Sequence, residues 1–198
     1  MKTPFVPLAV KEATRCAARH SILILSLLAL PMLPACSLLH GEETVVIPQE
    51  ETARDQARVA ELQYRRASQT VDEKTRREEY LKAVKALDSV TQRFPDDRVY
   101  TPAAQLLKGQ AYFDMREYAG AEREYRKCVE RYPDVEDVHA SALFGLGSSL
   151  YELGRIREGQ KYFRQLQDQY SATKSPVVKQ LVERAISKSR EIKTERRF

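Results

Sequence analysis

The side chains that most often carry catalysis or bind metals are few in this sequence and lie far apart. The 198 residues include three histidines and three cysteines, with no Cys-x-x-Cys or His-Glu-x-x-His motif. His139 stands alone at a predicted loop-to-helix junction. Gly145 and Gly147 could hold a nucleotide phosphate only after a strand, and none is predicted there. We therefore predict no enzyme activity, no metal site and no cofactor.

Cys36 is the residue for which the sequence predicts a covalent modification. It follows a basic segment and the 13-residue apolar run Ser21–Leu33, which is shorter than the roughly 18 residues of a membrane-spanning helix. A basic segment, a short apolar run and a small residue before a cleavage point are the parts of an export signal. Leu33-Pro34-Ala35-Cys36 resembles the bacterial lipobox, which implies cleavage before Cys36 and lipidation of its thiol. Residues 1–35 are thus predicted to be a lipoprotein signal peptide; the alternatives are an uncleaved anchor and an ordinary secretory signal.

Charge argues against a polyanionic partner once the chain is divided at Cys36. The formal net charge is +5, but residues 1–35 hold four basic residues and one acidic residue, which leaves +2 for the remainder. Such a small excess predicts no nucleic acid partner. After loss of Cys16 and lipidation of Cys36, Cys128 is the remaining thiol, and its place in an apolar helical stripe predicts a small core residue.

Residues 51–198 carry the pattern of a helical domain. Apolar side chains recur at spacings of three and four from Ala53 to Ala67 and again from Tyr80 to Phe94, as in amphipathic helices. No stretch alternates as a half-buried strand does. We predict an all-α domain at 51–198, joined to the lipid by residues 36–50, whose Gly41 and Pro48 without helical period indicate a flexible tether.

An internal repeat of 38 residues organises this domain. The same kinds of side chain recur in three copies, small at predicted helix crossings and large where a gap must be filled. The matching positions are Tyr80, Tyr118 and Ile156; Ala83, Ala121 and Gly159; Leu87, Tyr125 and Phe163; Val90, Cys128 and Leu166; Phe94, Tyr132 and Tyr170. Proline ends the helices after Phe94 and Tyr132, because it cannot continue the backbone ladder.

The second copy resembles a tetratricopeptide repeat. Gly109-x-x-Tyr112, Ala121-x-x-x-Tyr125 and Pro133 lie where that pattern has G-x-x-Y, A-x-x-x-F and P. The resemblance implies an α-solenoid of about three helix pairs and a C-terminal capping helix. The face of that cap is Val178, Leu181, Val182, Ala185, Ile186 and Ile192. In the first copy the register holds for the second helix alone, which predicts a longer loop at residues 71–74.

The 38-residue stride behind a lipobox is similar to that of the BamD-like outer-membrane assembly lipoproteins and of the YbgF/CpoB proteins associated with Tol-Pal. This resemblance implies a non-enzymatic scaffold, anchored by lipid at the periplasmic face of the outer membrane, with other envelope proteins as partners. Ser37 is not the aspartate that signals inner-membrane retention in enterobacterial lipoproteins. The alternatives are a scaffold of another envelope machine, such as pilus secretin assembly or Tol-Pal-linked constriction, and a ligand-binding lipoprotein.

The tetratricopeptide resemblance also implies where partners bind, since the first helix of each repeat lines a concave surface. The matching residues are Ala103, Leu106, Gln110, Phe113 and Asp114, then Ser141, Phe144, Ser148, Tyr151 and Glu152. Such an apolar and aromatic strip suits an extended or helical peptide. Leu143 and Leu150 are expected to pack between helices instead. The alternative is that Phe113 and Tyr151 merely fill the inter-helix core.

Overall fold

A computed structural model describes residues 46–195, with side chains as far as residue 191. The predicted signal peptide, Cys36 and most of the predicted tether lie outside these residues. Within the described range the chain forms seven helices and no strand. They are α1 (Ala53–Gln69), α2 (Glu73–Arg93), α3 (Tyr100–Asp114), α4 (Tyr118–Arg131), α5 (Glu136–Glu152), α6 (Ile156–Tyr170) and α7 (Pro176–Glu195). None of the helices in this range has both the length and the apolar character needed to span a bilayer.

The helices stack as three antiparallel pairs and a final single helix. Each helix packs against the next, and α1, α3, α5 and α7 also contact one another in order to form one layer. The predicted all-α solenoid of three pairs and a cap is therefore confirmed.

The predicted longer loop at residues 71–74 is wrong. Helix α1 ends at Gln69 and α2 begins at Glu73, so the first pair turns in three residues. The Asp72 side chain caps α2 by accepting the Thr75 N–H at 2.8 Å. With this cap α2 starts about two turns earlier than α4 and α6 do in the repeat. The residues of these added turns are mostly polar and solvent-exposed, so the sequence shows no apolar periodicity there that would predict a helix.

The repeat columns form the core. Ala83, Ala121 and Gly159 are buried where the two helices of each pair cross. At the third crossing the backbones are so close that a Cβ at Gly159 would lie 2.6 Å from the Gly147 carbonyl oxygen. Cys128 is a buried core residue as predicted. Burial raises the pKa of its thiol to about 12.

The last residues of the predicted tether are held against the domain. Gln56 of α1 is fully buried, its amide nitrogen donating to the Pro48 carbonyl at 3.1 Å and its amide oxygen accepting the Glu50 N–H at 2.9 Å. Arg93 of α2 donates to the same Gln56 oxygen at 2.7 Å. Ile47 packs on the core of the first helix pair. Residues 47–50 thus contact the domain, and the flexibility of residues 36–50 stays a prediction.

Helix α7 closes the array as a cap. Val178, Val182 and Ala185 are buried against the third helix pair, and Leu181 and Ile186 pack at the edge of this cluster. The loop before α7 is fastened to α5 by the Ser175 hydroxyl, which donates to Asp137 at 2.7 Å. The side chain of Ile192 lies outside the described residues.

Candidate binding groove

A groove with a cavity volume of about 690 Å³ runs across the layer formed by α1, α3, α5 and α7. Nine of the ten concave-face residues predicted from the repeat register line it. These are Ala103, Leu106, Gln110 and Phe113 on α3, and Ser141, Phe144, Ser148, Tyr151 and Glu152 on α5. The repeat thus brings two consecutive first helices to one concave surface.

Helix α5 separates core from groove as the spacing predicts. Leu143 and Leu150 are fully buried between helices. Phe144 and Tyr151 are half-buried and line the groove. Phe113 and Tyr151 also touch core clusters, so each side chain supports the helix packing with one part and presents the remainder to the groove.

Asp114 is the predicted site residue that does not line the groove. Its carboxylate accepts hydrogen bonds from Tyr64 of α1 at 2.6 Å, from Tyr80 of α2 at 3.3 Å and from the Gln110 amide at 2.8 Å. Burial and the adjacent negative charge raise the pKa of Tyr80 to about 12. The tyrosines of the first helix pair thus hold Asp114 in an inter-helix network, and its contact with a partner stays a prediction.

Gln110 is held rigidly at the floor of the groove. Its amide nitrogen donates to Asp114, and its amide oxygen accepts the Tyr125 hydroxyl at 3.1 Å. The Tyr125 ring lies against α3 and α5, because a Cβ at Gly109 would approach it to 2.7 Å and one at Gly145 to 2.5 Å. These glycines therefore admit the aromatic ring that forms the floor and orients Gln110.

The repeat register missed the groove residues contributed by the two outer helices. Helix α1 contributes Glu61, Tyr64 and Arg65, and helix α7 contributes Leu181, Arg184 and Lys188. For α7 a signal was present, since residues 181, 184 and 188 lie on one helical face beside the apolar stripe. For α1 the register gives a signal at Arg65 alone, which lies 38 residues before Ala103. The equivalents of the other groove positions of α3 fall at the end of α1, in the turn and at the start of α2.

Arg184 and Lys188 lie over the aromatic residues of α5. The Arg184 guanidinium carbon is 4.5 Å from the ring centroid of Phe144, and the Lys188 ammonium nitrogen is 5.2 Å from that of Tyr151. Both are cation–π distances. Helix α7 therefore places two positive charges directly above the rings of Phe144 and Tyr151.

His139 belongs to the packing of the third helix pair. It is buried, its Nδ1 is 2.7 Å from the Tyr170 hydroxyl, and it does not line the groove. Burial lowers its pKa, which favours the neutral ring. Among residues 46–195, no three histidine, cysteine or acidic side chains converge as metal ligands.

A known family model matches the repeated helix pairs of this chain. Residues 70–136 and 106–173 match a tetratricopeptide repeat model, and together they span more than half of the 198-residue chain. The chain belongs to the tetratricopeptide-repeat family. Tetratricopeptide repeats typically bind other proteins and are generally non-enzymatic, and they indicate a scaffold for protein–protein interaction. No curated protein matches the chain.

Proposed function

We propose that this tetratricopeptide protein is a lipid-anchored scaffold at the periplasmic face of the outer membrane. It binds segments of other envelope proteins in the groove and serves outer-membrane protein assembly or envelope maintenance. The observation that carries the binding role is the groove itself, which Phe113, Phe144 and Tyr151 line together with the oriented amide of Gln110. Apolar anchors around a few fixed polar groups are typical of peptide-binding grooves.

The membrane part of the proposal depends on the sequence before the domain. The basic segment, the short apolar run and Leu33-Pro34-Ala35-Cys36 support export and lipidation. Several acyl chains on one cysteine hold a protein stably to a bilayer, whereas a single chain gives marginal binding.

The binding role is tested with a photo-crosslinking amino acid in place of Ser148, which lines the groove. The control position is Arg164, which is exposed on α6 and does not line the groove. In living cells we expect a protein adduct from position 148 and none from position 164. Phe144→Ala with Tyr151→Ala removes the aromatic anchors and should abolish the adduct, because a few such residues carry most binding energy.

A stability measurement separates binding from folding. Leu143→Ala and Leu150→Ala should each cost about 2–5 kcal/mol of unfolding free energy in urea melts. The aromatic double variant should retain most of the stability. If that variant unfolds, or if the adduct at position 148 persists in it, the groove assignment fails.

The anchor is tested by metabolic labelling with an alkyne fatty acid. Cys36→Ala should abolish the label and release the chain from the membrane fraction, because the thiol that takes the diacylglycerol is gone. Cys16→Ala, within the predicted signal, should keep both the fatty-acid label and the association with the membrane fraction. Equal labelling of the Cys36 variant and the wild type would exclude lipidation at Cys36.

A further inference from the structure

The charged side chains of the groove are unequally distributed between its two outer walls. On α1, Glu61 and Arg65 neutralise each other through an ion pair of 2.6 Å. On α7, Arg184 has no carboxylate within 4.0 Å among the described residues, and Lys188 reaches only the exposed Glu191 at 3.4 Å. Glu152, at the end of α5, is the other charged lining residue. The α7 wall is therefore cationic and faces an apolar floor.

The spacing of the aromatic, apolar and basic side chains that line the groove matches the spacing of side chains on a bound α-helix. Phe144 and Tyr151 are seven residues apart on α5, as are Leu106 and Phe113 on α3, which separates each pair by roughly 10 Å along its helix. An amphipathic helix lying alongside α5 repeats its apolar side chains at the same interval. Arg184 and Lys188 are four residues apart, or about 6 Å, which is one helical turn.

We infer that the groove selects an acidic amphipathic helix of a partner protein. The apolar side chains of this partner helix, at positions i, i+3 or i+4, and i+7, contact the rings of Phe144 and Tyr151. Two carboxylates one turn apart meet Arg184 and Lys188, which the rings of Phe144 and Tyr151 hold in place. This inference rests on the proposed function of the groove and adds the chemistry of its partner.

The test uses a phage-displayed library of random 16-residue peptides and the purified full-length chain. We expect the enriched peptides to combine the apolar spacing with Asp or Glu pairs four residues apart. Arg184→Glu with Lys188→Glu should weaken binding of these peptides at least tenfold, measured by fluorescence anisotropy. Replacing their acidic pair by lysines should restore binding to this reversed variant.

A matched control is Lys174→Glu with Lys179→Glu, which changes the net charge equally at two exposed residues outside the groove. It should change affinity less than twofold. Enriched peptides that lack acidic pairs, or equal losses in the control and the reversed variant, would overturn this inference alone. If no peptide is enriched, or if binding is insensitive to Phe144→Ala with Tyr151→Ala, the proposed function fails as well.

Discussion

Arg116 and Gly154 occupy the same position in consecutive repeats and share an unusual backbone. They lie 38 residues apart, each two residues after the end of a first helix, with φ angles of +59° and +75°. Arg116 N–H bonds the Phe113 carbonyl, and Gly154 N–H bonds that of Tyr151, both at 2.9 Å. This is a Schellman cap, whose left-handed residue is usually glycine.

We expect opposite effects from exchanging these residues. Gly154→Ala should lower the unfolding free energy by about 1–2 kcal/mol, because a left-handed backbone brings Cβ close to the following carbonyl. No other side chain is involved, since apart from Gly154 itself and its two chain neighbours no atom lies within 4 Å of such a Cβ. Arg116→Gly should raise the free energy by less than about 1 kcal/mol, because glycine also gains freedom in the unfolded chain. Urea melts measure both, and a silent Gly154→Ala would contradict the assigned cap.

Among the helix crossings, that of α3 and α4 is filled by the buried Ala121. Ala121→Leu should overpack this contact and lower the unfolding free energy by roughly 1–3 kcal/mol. The exposed Arg123 on the same helix is the control, and Arg123→Ala should stay within about 0.5 kcal/mol of the wild type. Thermal melts that fail to separate the two variants would refute the repeat register.

Glu122, the neighbour of Ala121, is not an equivalent exposed control residue. Its carboxylate accepts from Arg126 of the same helix and from Arg155 before α6, both at 2.7 Å. Glu122 therefore ties consecutive helix pairs together. Residue spacing identifies which side of a helix is apolar, but it does not show which charged side chains meet across pairs.

The same limit explains which elements could be predicted. Helices α3 to α6 follow from columns such as Ala121 and Phe163, because packing between repeats imposes the same side-chain sizes in each copy. Helix α1 departs from the register, so the contact of Tyr64 with Asp114, 50 positions away, could not be foreseen. Tyr80 is in register, but its hydrogen bond to Asp114 joins side chains 34 positions apart in different helix pairs, which the repeat columns do not reveal.

In the whole molecule, polar links between successive helix pairs fix the shape of the groove. Asp114 joins α3 to both helices of the first pair. Lys108 of α3 pairs with Asp88 of α2 and, at 3.3 Å, with Glu124 of α4. Burial would raise the pKa of Glu124, yet hydrogen bonds from Lys127 and Gln105 and the charge of Lys108 lower it. In an array whose helices contact only those one or two places away along the chain, such links couple the positions of α1 and α2 to those of α3 and α4.

The buried thiol of Cys128 has a consequence for observing this molecule at work. Cys128 is on α4 in a core cluster shared with α5, and its sulfur is 3.9 Å from the Pro102 carbonyl of α3. An alkylating reagent reaches it only when these helices part, so its rate of modification counts transient openings of the central repeats. We expect that a helix bound across α3 and α5, as proposed, suppresses those openings and slows the reaction. The alkylation rate of Cys128 should therefore report whether the groove is occupied, although this thiol does not contact the bound helix.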